Sequence, residues 1–132
     1  MIFGIGTDIV CIERMTGLLA KFGDKAAQRI LSDNEFAAFQ STLRPAEFLA
    51  KRFAAKEASA KALGTGFRDG LSLRDISVAH NQLGRPELCF DRRAAVLIEQ
   101  LNIGQRFLSL SDEQDYAIAY VVLELNDDFP NN

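Results

Sequence analysis

The stretch that decides the fold is PAEFLAKRFAAKEASAKAL, residues 45–63. Proline is tolerated in the first turn of a helix, because its missing N–H has no partner there, and no further breaker follows until Gly64. The stretch therefore predicts the longest helix of the chain. Small residues recur at every fourth position along one side and suit that side to close packing, at Ala50, Ala54, Ala58 and Ala62.

The segments before this helix predict a mixed domain. Apolar and β-branched residues favour a first strand over residues 2–10, in which Gly4 and Gly6 permit a close backbone approach of the kind common near a ligand. Residues 12–22 have the apolar spacing of an amphipathic helix, and a second short helix is expected from Asp24. A capping box, formed by Ser32 and Glu35, precedes a helix over residues 36–41.

The segments after the long helix predict two antiparallel hairpins. The first joins residues 76–79 to 87–90, and the second joins 107–111 to 116–125. Between them Asp91 is expected to cap a helix that runs to Leu101 and is ended by Gly104. We therefore expect one α+β domain over residues 1–125, with antiparallel strands packed against a long central helix, and a frayed tail over residues 126–132.

Length and composition restrict the classes of protein to which the chain can belong. A chain of 132 residues, 48% hydrophobic and 25% charged, has room for one globular domain. The longest apolar run, residues 116–123, is far shorter than the roughly 20 residues of a membrane-spanning helix. No positive charges lead the N-terminus and Asp8 interrupts its apolar run, so a signal peptide is not expected. We expect a cytoplasmic protein without membrane contact.

Charge is distributed unevenly, although the net charge is only −3. Residues 1–70 hold ten Lys and Arg against eight Asp and Glu, whereas residues 71–132 hold five against ten. Residues 44–61 hold five positive and two negative side chains. This excess favours an anionic ligand, but it is too weak for a nucleic-acid surface.

Several common catalytic sites are excluded. His80 is the only histidine, which rules out a histidine metal cluster, and we expect it at the surface. The chain has no G-x-S-x-G elbow, Walker A loop or Rossmann glycine pattern. Two cysteines, Cys11 and Cys89, are too few for a disulfide framework.

Two features nevertheless favour chemistry. Asp8 lies in an otherwise apolar strand, so its carboxylate must be at a strand end, hydrogen-bonded, or bound to a cation. Glu57 and Lys61, four residues apart, fit an exposed helical ion pair worth only about 0.3–0.5 kcal/mol. Alternatively Glu57 could hold a magnesium ion while Lys56 and Lys61 neutralise phosphate oxygens.

The motifs GTDIV (residues 6–10) and FAAKEASAKA (residues 53–62) together resemble the paired signature of the holo-acyl-carrier-protein synthases, the small 4′-phosphopantetheinyl transferases of fatty acid synthesis. Supporting pieces follow in family order, at Arg14, Arg52, GTG (64–66), GRP (84–86), and DE (112–113) with YA (116–117). One position departs from the family, since Phe107 stands where many members have a histidine near coenzyme A.

The resemblance implies a reaction and a site. The 4′-phosphopantetheine arm of coenzyme A is transferred to a serine of apo acyl carrier protein, and adenosine 3′,5′-bisphosphate is released. By that resemblance Asp8 and Glu57 ligate the Mg²⁺ that bridges the pyrophosphate, and Lys61 stabilises charge on the phosphate. The proton acceptor stays open between Glu57, Asp8 and a water held by the metal.

The resemblance also implies contacts for coenzyme A and for the carrier protein. The expected coenzyme A contacts are Arg52, Phe53, Lys56, Lys61, Gly64, Gly84, Arg85, Pro86 and Ser109. Those expected for the carrier protein are Arg14, Leu18 and Lys21, on the helix after the first strand. The family implies a homotrimer with active sites between subunits. Two other functions would suit the same fold, namely a coenzyme A-binding or nucleotide-binding regulatory module without transfer and a structural self-associating protein.

Overall fold

A computed structural model describes residues 1–127 and has the expected α+β architecture. The strands are β1 (Ile2–Cys11), β2 (Ile76–His80), β3 (Pro86–Phe90), β4 (Ile103–Asp112) and β5 (Tyr116–Leu125). The helices are α1 (Ile12–Phe22), α2 (Asp24–Ile30), α3 (Asp33–Phe39), α4 (Pro45–Leu63) and α5 (Arg92–Gln100). Within residues 1–127 no helix is both long enough and apolar enough to cross a membrane.

Helix α4 is the centre of the fold and has the predicted bounds. Pro45 occupies its first turn, and Gly64 ends it in the left-handed conformation, at φ 83°. The predicted row of small residues, Ala50, Ala54, Ala58 and Ala62, is buried along its whole length. Because these side chains are short, neighbouring elements can pack close to the helix backbone.

Strand β1 lies directly against α4 at this alanine row. A Cβ atom at Gly6 would overlap the carbonyl oxygen of Ala58, and one at Gly4 would overlap that of Ala62. The close approach predicted for the two glycines is therefore made to the helix backbone rather than to a ligand. It fixes the position of β1, and hence of Asp8, relative to the last two turns of α4.

The main sheet has three antiparallel strands in the order β1-β5-β4. Asp8 pairs with Ala119 of β5, and Leu110 of β4 pairs with the same residue from the other side. One face of the sheet packs on α4 and buries Ala117, Ala119, Val121 and Leu123. The other face is exposed and carries large apolar side chains, at Ile5, Ile9, Phe107, Tyr116, Ile118 and Tyr120.

The remaining elements surround α4 and largely confirm the predicted order. The β2–β3 hairpin forms a separate two-stranded sheet, with His80 opposite Pro86. The capping box of α3 forms as expected, because Ser32 accepts from the Glu35 amide and the Glu35 carboxylate accepts from the Ser32 amide.

The predictions for α3, α5 and β4 were wrong in part. Helix α3 spans Asp33–Phe39 rather than residues 36–41, and β4 begins at Ile103 rather than at residue 107. Asp91 precedes α5 but makes no side-chain capping hydrogen bond, and the helix ends before Gly104, which lies inside β4. Asn126, predicted to be in a frayed tail, donates its amide to the carbonyl of Asn102. The remainder of that predicted tail, residues 128–132, lies outside the described residues.

Candidate active site

Asp8 and Lys61 meet where β1 crosses the end of α4. The Lys61 ammonium lies 3.1 Å from the Asp8 carboxylate and donates to the Thr7 carbonyl at 2.9 Å. The Asp8 side chain is mostly shielded, with 18% exposure, whereas that of Lys61 is 57% exposed. The carboxylate is thus held in place by the sheet, while the ammonium remains accessible from solvent.

Glu57 lies one helical turn before Lys61 and belongs to the same cluster. Partial burial raises the pKa of its carboxyl group, and the negative charge of Asp8 raises it further. Lys61 and Arg14 oppose this rise in the Glu57 pKa with their positive charges. The expected Glu57–Lys61 surface pair is not formed within residues 1–127, because the ammonium bonds to Asp8 instead.

The pair formed by Asp8 and Glu57 fits a magnesium ion. Residues 1–127 hold no group of three or more His, Cys, Asp or Glu side chains that could enclose a metal. Mg²⁺ does not require such a cage, since one or two carboxylates commonly hold it together with waters and substrate phosphates. The two carboxylates match the protein part of that ligand set, and the Lys61 ammonium beside them could pair with the substrate phosphates.

A second site is a cleft of about 680 Å³ between the first half of α4, the β2–β3 hairpin and β4. The sequence predicted three of its lining residues, which are Arg52, Gly84 and Pro86. It missed Arg44, Phe48, Lys51, His80, Leu110 and Asp112. The cationic excess of residues 44–61 was the available signal for Arg44 and Lys51, whereas His80 and Asp112 reach the cleft only through the tertiary fold.

The cationic side chains of the cleft affect one another. Burial lowers the pKa of His80, and the positive charges of Arg52 and Lys51 lower it further. The imidazole is therefore neutral near neutral pH. The positive charge of Lys51 is offset by the carboxylates of Asp112 at 3.2 Å and Glu47 at 3.7 Å. The Arg52 guanidinium instead lies over the ring of Phe48, 4.3 Å from the ring centroid.

Comparison with known proteins identifies the family. The family model described as the 4′-phosphopantetheinyl transferase superfamily matches residues 4–121, which include both sites. The chain belongs to this superfamily. Within the superfamily, its similarity is to the holo-acyl-carrier-protein synthases.

Three relatives illustrate this similarity. A holo-[acyl-carrier-protein] synthase of Hamiltonella defensa is 50% identical over 123 residues, which are 93% of this chain and 98% of the relative. The crystal structure of the Neisseria meningitidis synthase has a TM-score of 0.89 at 47% identity and covers 94% of this chain and 99% of its own. The Bacillus anthracis synthase, solved in complex with coenzyme A (3′,5′-ADP), has a TM-score of 0.79 at 38% identity. The match covers 96% of this chain and 99% of that synthase.

The structure contradicts one predicted coenzyme A contact of this transferase, that of Lys56. The Lys56 side chain is fully buried, and its ammonium donates to the Glu35 carboxylate at 2.7 Å and to the carbonyls of Leu73 and Ile76. Burial lowers the pKa of Lys56, and the Glu35 charge opposes this shift. All three of its N–H donors have acceptors, so Lys56 has none left for a phosphate.

The other predicted coenzyme A contacts are spread over the surface of the transferase. Phe53 packs under the Arg14 guanidinium, 5.3 Å from its ring centroid. Gly64 follows Lys61 at the end of α4, and Arg85 is exposed in the hairpin turn. Ser109 lies with Phe107 on the exposed face of the main sheet and therefore away from the cleft of its own chain.

The predicted carrier-protein contacts share the outer side of α1. Arg14 and Lys21 are exposed, and Leu18 is half-buried. Leu18 also lines an apolar groove of about 270 Å³ between α1 and α2, together with Phe22, Lys25, Ala26, Arg29 and Ile30. The sequence missed this groove, because its α2 side depends on how the two helices pack.

Proposed function

We propose that this chain transfers the 4′-phosphopantetheine group of coenzyme A to a serine of an apo acyl carrier protein and releases adenosine 3′,5′-bisphosphate. The observation that carries the proposal is the cluster of Asp8, Glu57 and Lys61 at the crossing of β1 and α4. Such a cluster suits phosphoryl-group chemistry, in which catalysis is mainly positioning and electrostatic stabilisation. The names of the relatives support the same reaction.

In the proposed reaction the serine hydroxyl oxygen bonds to the phosphorus that carries the pantetheine arm. The bond from that phosphorus to the bridging oxygen breaks, and its electron pair leaves with the adenosine bisphosphate, while the serine proton passes to a base. Lys61 lies beside the carboxylates and is exposed enough for its ammonium to reach the departing phosphate. Its positive charge opposes the negative charge that develops there.

Asp8 and Glu57 would hold Mg²⁺ in this proposal. The ion, when bound, would neutralise charge on the pyrophosphate and make its phosphorus easier to attack. Asp8 is fixed by the sheet and Glu57 by the helix, so the two carboxylates are positioned before the substrate arrives. Partial burial and, after it, the negative charge of Asp8 raise the pKa of Glu57, which shows that the two carboxyl groups lie close enough to act on one cation.

The proposed reaction is tested by chromatography of the released nucleotide. Adenosine 3′,5′-bisphosphate should form only when coenzyme A, apo carrier protein and Mg²⁺ are all present. Addition of excess EDTA should stop its formation, and restored Mg²⁺ should restart it. Nucleotide release without carrier protein would indicate a hydrolase and contradict the proposal.

We propose further that three copies assemble and that each active site lies between neighbours. Arg52 and Lys61 are nine residues apart on α4, which places them about 13 Å apart along the helix and half a turn around it. The cleft and the carboxylate site therefore lie on opposite sides of the helix, and one molecule of coenzyme A would use the cleft of one chain with the carboxylates of the next. The exposed apolar sheet face supplies the contact surface.

If the exposed sheet face is the contact between subunits, a charged residue introduced on that face should lower the mass of the particle in solution. Ile9, on β1, is 60% exposed, and a glutamate there would be buried unpaired between subunits. Light scattering should give a trimer for the wild type and a smaller species for Ile9→Glu. Val96→Glu, at an exposed valine of α5, is the matched control and should remain trimeric. A monomeric wild type would contradict the assembly.

The carrier protein is proposed to dock on α1 and α2. Acyl carrier proteins are acidic, and the apolar groove beside Leu18 is also lined by Lys25 and Arg29, whose positive charges would complement such a partner. The Lys21 ammonium lies over the ring of Phe22, another lining residue, and adds a third positive charge. Arg14 stands at the end nearer the active site, close enough to Glu57 to lower its pKa.

A cytoplasmic location stays a prediction from the sequence.

Reversing the positive charges at the end of this docking surface that lies away from Arg14 should change KM for the carrier protein and leave KM for coenzyme A unchanged. Lys21→Glu with Lys25→Glu avoids Arg14 and so leaves the field at Glu57 intact. Because such charges chiefly set encounter rate, the double variant should raise KM for carrier protein about tenfold at low salt and flatten its salt dependence. Its KM for coenzyme A should match the wild type. An unchanged carrier-protein KM and salt slope would place the docking surface elsewhere.

A further inference from the structure

Arg52 has an unusual environment for a residue that lines the cleft. Only 8% of its surface is exposed, and its Nε is buried without a hydrogen-bond partner among residues 1–127. The guanidinium is stacked on Phe48 at 4.3 Å. Burial lowers its pKa, but arginine stays charged, so a nearly buried cation borders the cleft.

The charge nearest to Arg52 is the carboxylate of Glu35. One Glu35 oxygen lies 3.5 Å from the Arg52 Nε, and the same oxygen accepts from the Val78 amide at 2.9 Å. The other oxygen accepts from the Ser32 amide at 3.0 Å and from Lys56 at 2.7 Å. With partners on both oxygens and 3% exposure, the carboxylate is held in one position.

Charge in this buried cluster does not balance. Glu35 contributes one negative charge, whereas Lys56 and Arg52 contribute two positive charges. An uncompensated buried charge is costly, and an anion that entered the cleft beside Arg52 would compensate it. Lys56 is enclosed, so Arg52 is the cation through which this excess can act on a ligand.

We propose that Glu35 is a positioning residue, which holds the Arg52 guanidinium against Phe48 so that it can pair with a phosphate group of coenzyme A. Glu35 does not line the cleft, so it acts on a ligand there through Arg52. The proposal rests on the proposed function for the identity of the ligand. Coenzyme A carries a 3′-phosphate and a pyrophosphate, and either group has the required charge.

Calorimetric titration with coenzyme A and with dephospho-coenzyme A tests the proposal without requiring transfer. Glu35→Gln keeps the size of the side chain but removes its charge, which increases the positive excess beside the cleft and by itself would favour an anion. Because the Arg52 guanidinium loses its position, we nevertheless expect coenzyme A binding to weaken about tenfold. Arg52→Ala should weaken binding by at least as much, and Glu35→Gln should add less than about twofold in that background. If the variants bind coenzyme A more weakly but dephospho-coenzyme A normally, Arg52 pairs with the 3′-phosphate. If they bind both ligands more weakly, Arg52 pairs with the pyrophosphate.

A matched control separates positioning from general loss of stability. Asp75 is another carboxylate with 3% exposure, and it pairs with Arg92 at a distance of 2.8 Å. Neither residue lines the cleft. Asp75→Asn should lower the melting temperature but leave coenzyme A affinity unchanged. Equal weakening by Asp75→Asn, wild-type affinity in folded Glu35→Gln, or additive effects with Arg52→Ala would each overturn the proposal.

A further variant keeps the test possible if Glu35→Gln does not fold by circular dichroism. Phe48→Leu removes the ring on which the Arg52 guanidinium is stacked. Because Phe48 also lines the cleft, the change should weaken binding slightly in the Arg52→Ala background and clearly more in the wild type. An equal effect in both backgrounds would overturn the positioning of Arg52, whereas a wild-type protein that does not bind coenzyme A at all would contradict the proposed function itself.

Discussion

Replacing Asp8 or Glu57 with alanine should lower kcat by more than about a hundredfold at saturating Mg²⁺. In the proposed reaction each change removes one oxygen ligand from Mg²⁺, whose effect on the transition state is worth several kcal/mol. Asp8 is fixed by strand pairing and Glu57 by α4, so neither carboxylate can shift to replace the other. Initial rates of carrier-protein modification, measured over a range of Mg²⁺ concentrations, check this expectation.

A control carboxylate and a folding measurement make the result interpretable. Glu99 is exposed on α5, and Glu99→Ala should retain wild-type kcat. Circular dichroism should show wild-type secondary structure for both site variants, because neither side chain is part of the buried core. Near wild-type turnover of either Asp8→Ala or Glu57→Ala would show that the residue is not a metal ligand.

Lys61→Ala should lower kcat by about a hundredfold to a thousandfold while KM for coenzyme A changes much less. The ammonium is needed most when negative charge builds on the leaving phosphate, so its loss acts mainly on the transition state. Steady-state kinetics with varied coenzyme A separates the two parameters. Lys61→Arg, which keeps the charge, should recover part of the lost kcat.

Lys56, five residues earlier in the same motif, provides the contrast. Lys56→Met should cost about 3–5 kcal/mol of folding stability, because it leaves the buried Glu35 carboxylate without its closest cation. The expected signature is a lower melting temperature without a matching fall in kcat for the protein that remains folded. Unchanged kcat in Lys61→Ala would return Lys61 to the role of a surface ion pair, and a selective loss of kcat in Lys56→Met would contradict its structural role.

Local patterns in the sequence were sufficient to predict most of the fold. Pro45 and Gly64 mark α4 correctly because the rules for helix ends act within a few residues. The spacing of apolar residues correctly located α1 and β5 for the same reason. The end of α5 was predicted within one residue, but the role given to Gly104 was wrong, because Gly104 belongs to β4, whose strand pairing no local pattern contains.

The site was predictable only in part. The motifs predicted Asp8, Glu57 and Lys61, which the structure brings together, but they could not distinguish Lys61 from Lys56. That distinction depends on Glu35, which is 21 residues before Lys56 and reaches it through the packing of α3 on α4. The cleft likewise combines three distant parts of the chain, and the alternation along β4 directs Leu110 into it and Ser109 away from it.

The most direct test of the central claim is the mass of an apo acyl carrier protein after incubation with this chain, coenzyme A and Mg²⁺. The intact carrier protein should gain the mass of one phosphopantetheine group, whereas a carrier protein with its serine replaced by alanine should gain nothing. The Glu57→Gln variant of this chain should abolish the gain. An unmodified carrier protein after incubation with folded wild-type chain, under conditions in which a known holo-acyl-carrier-protein synthase modifies it fully, would contradict the account.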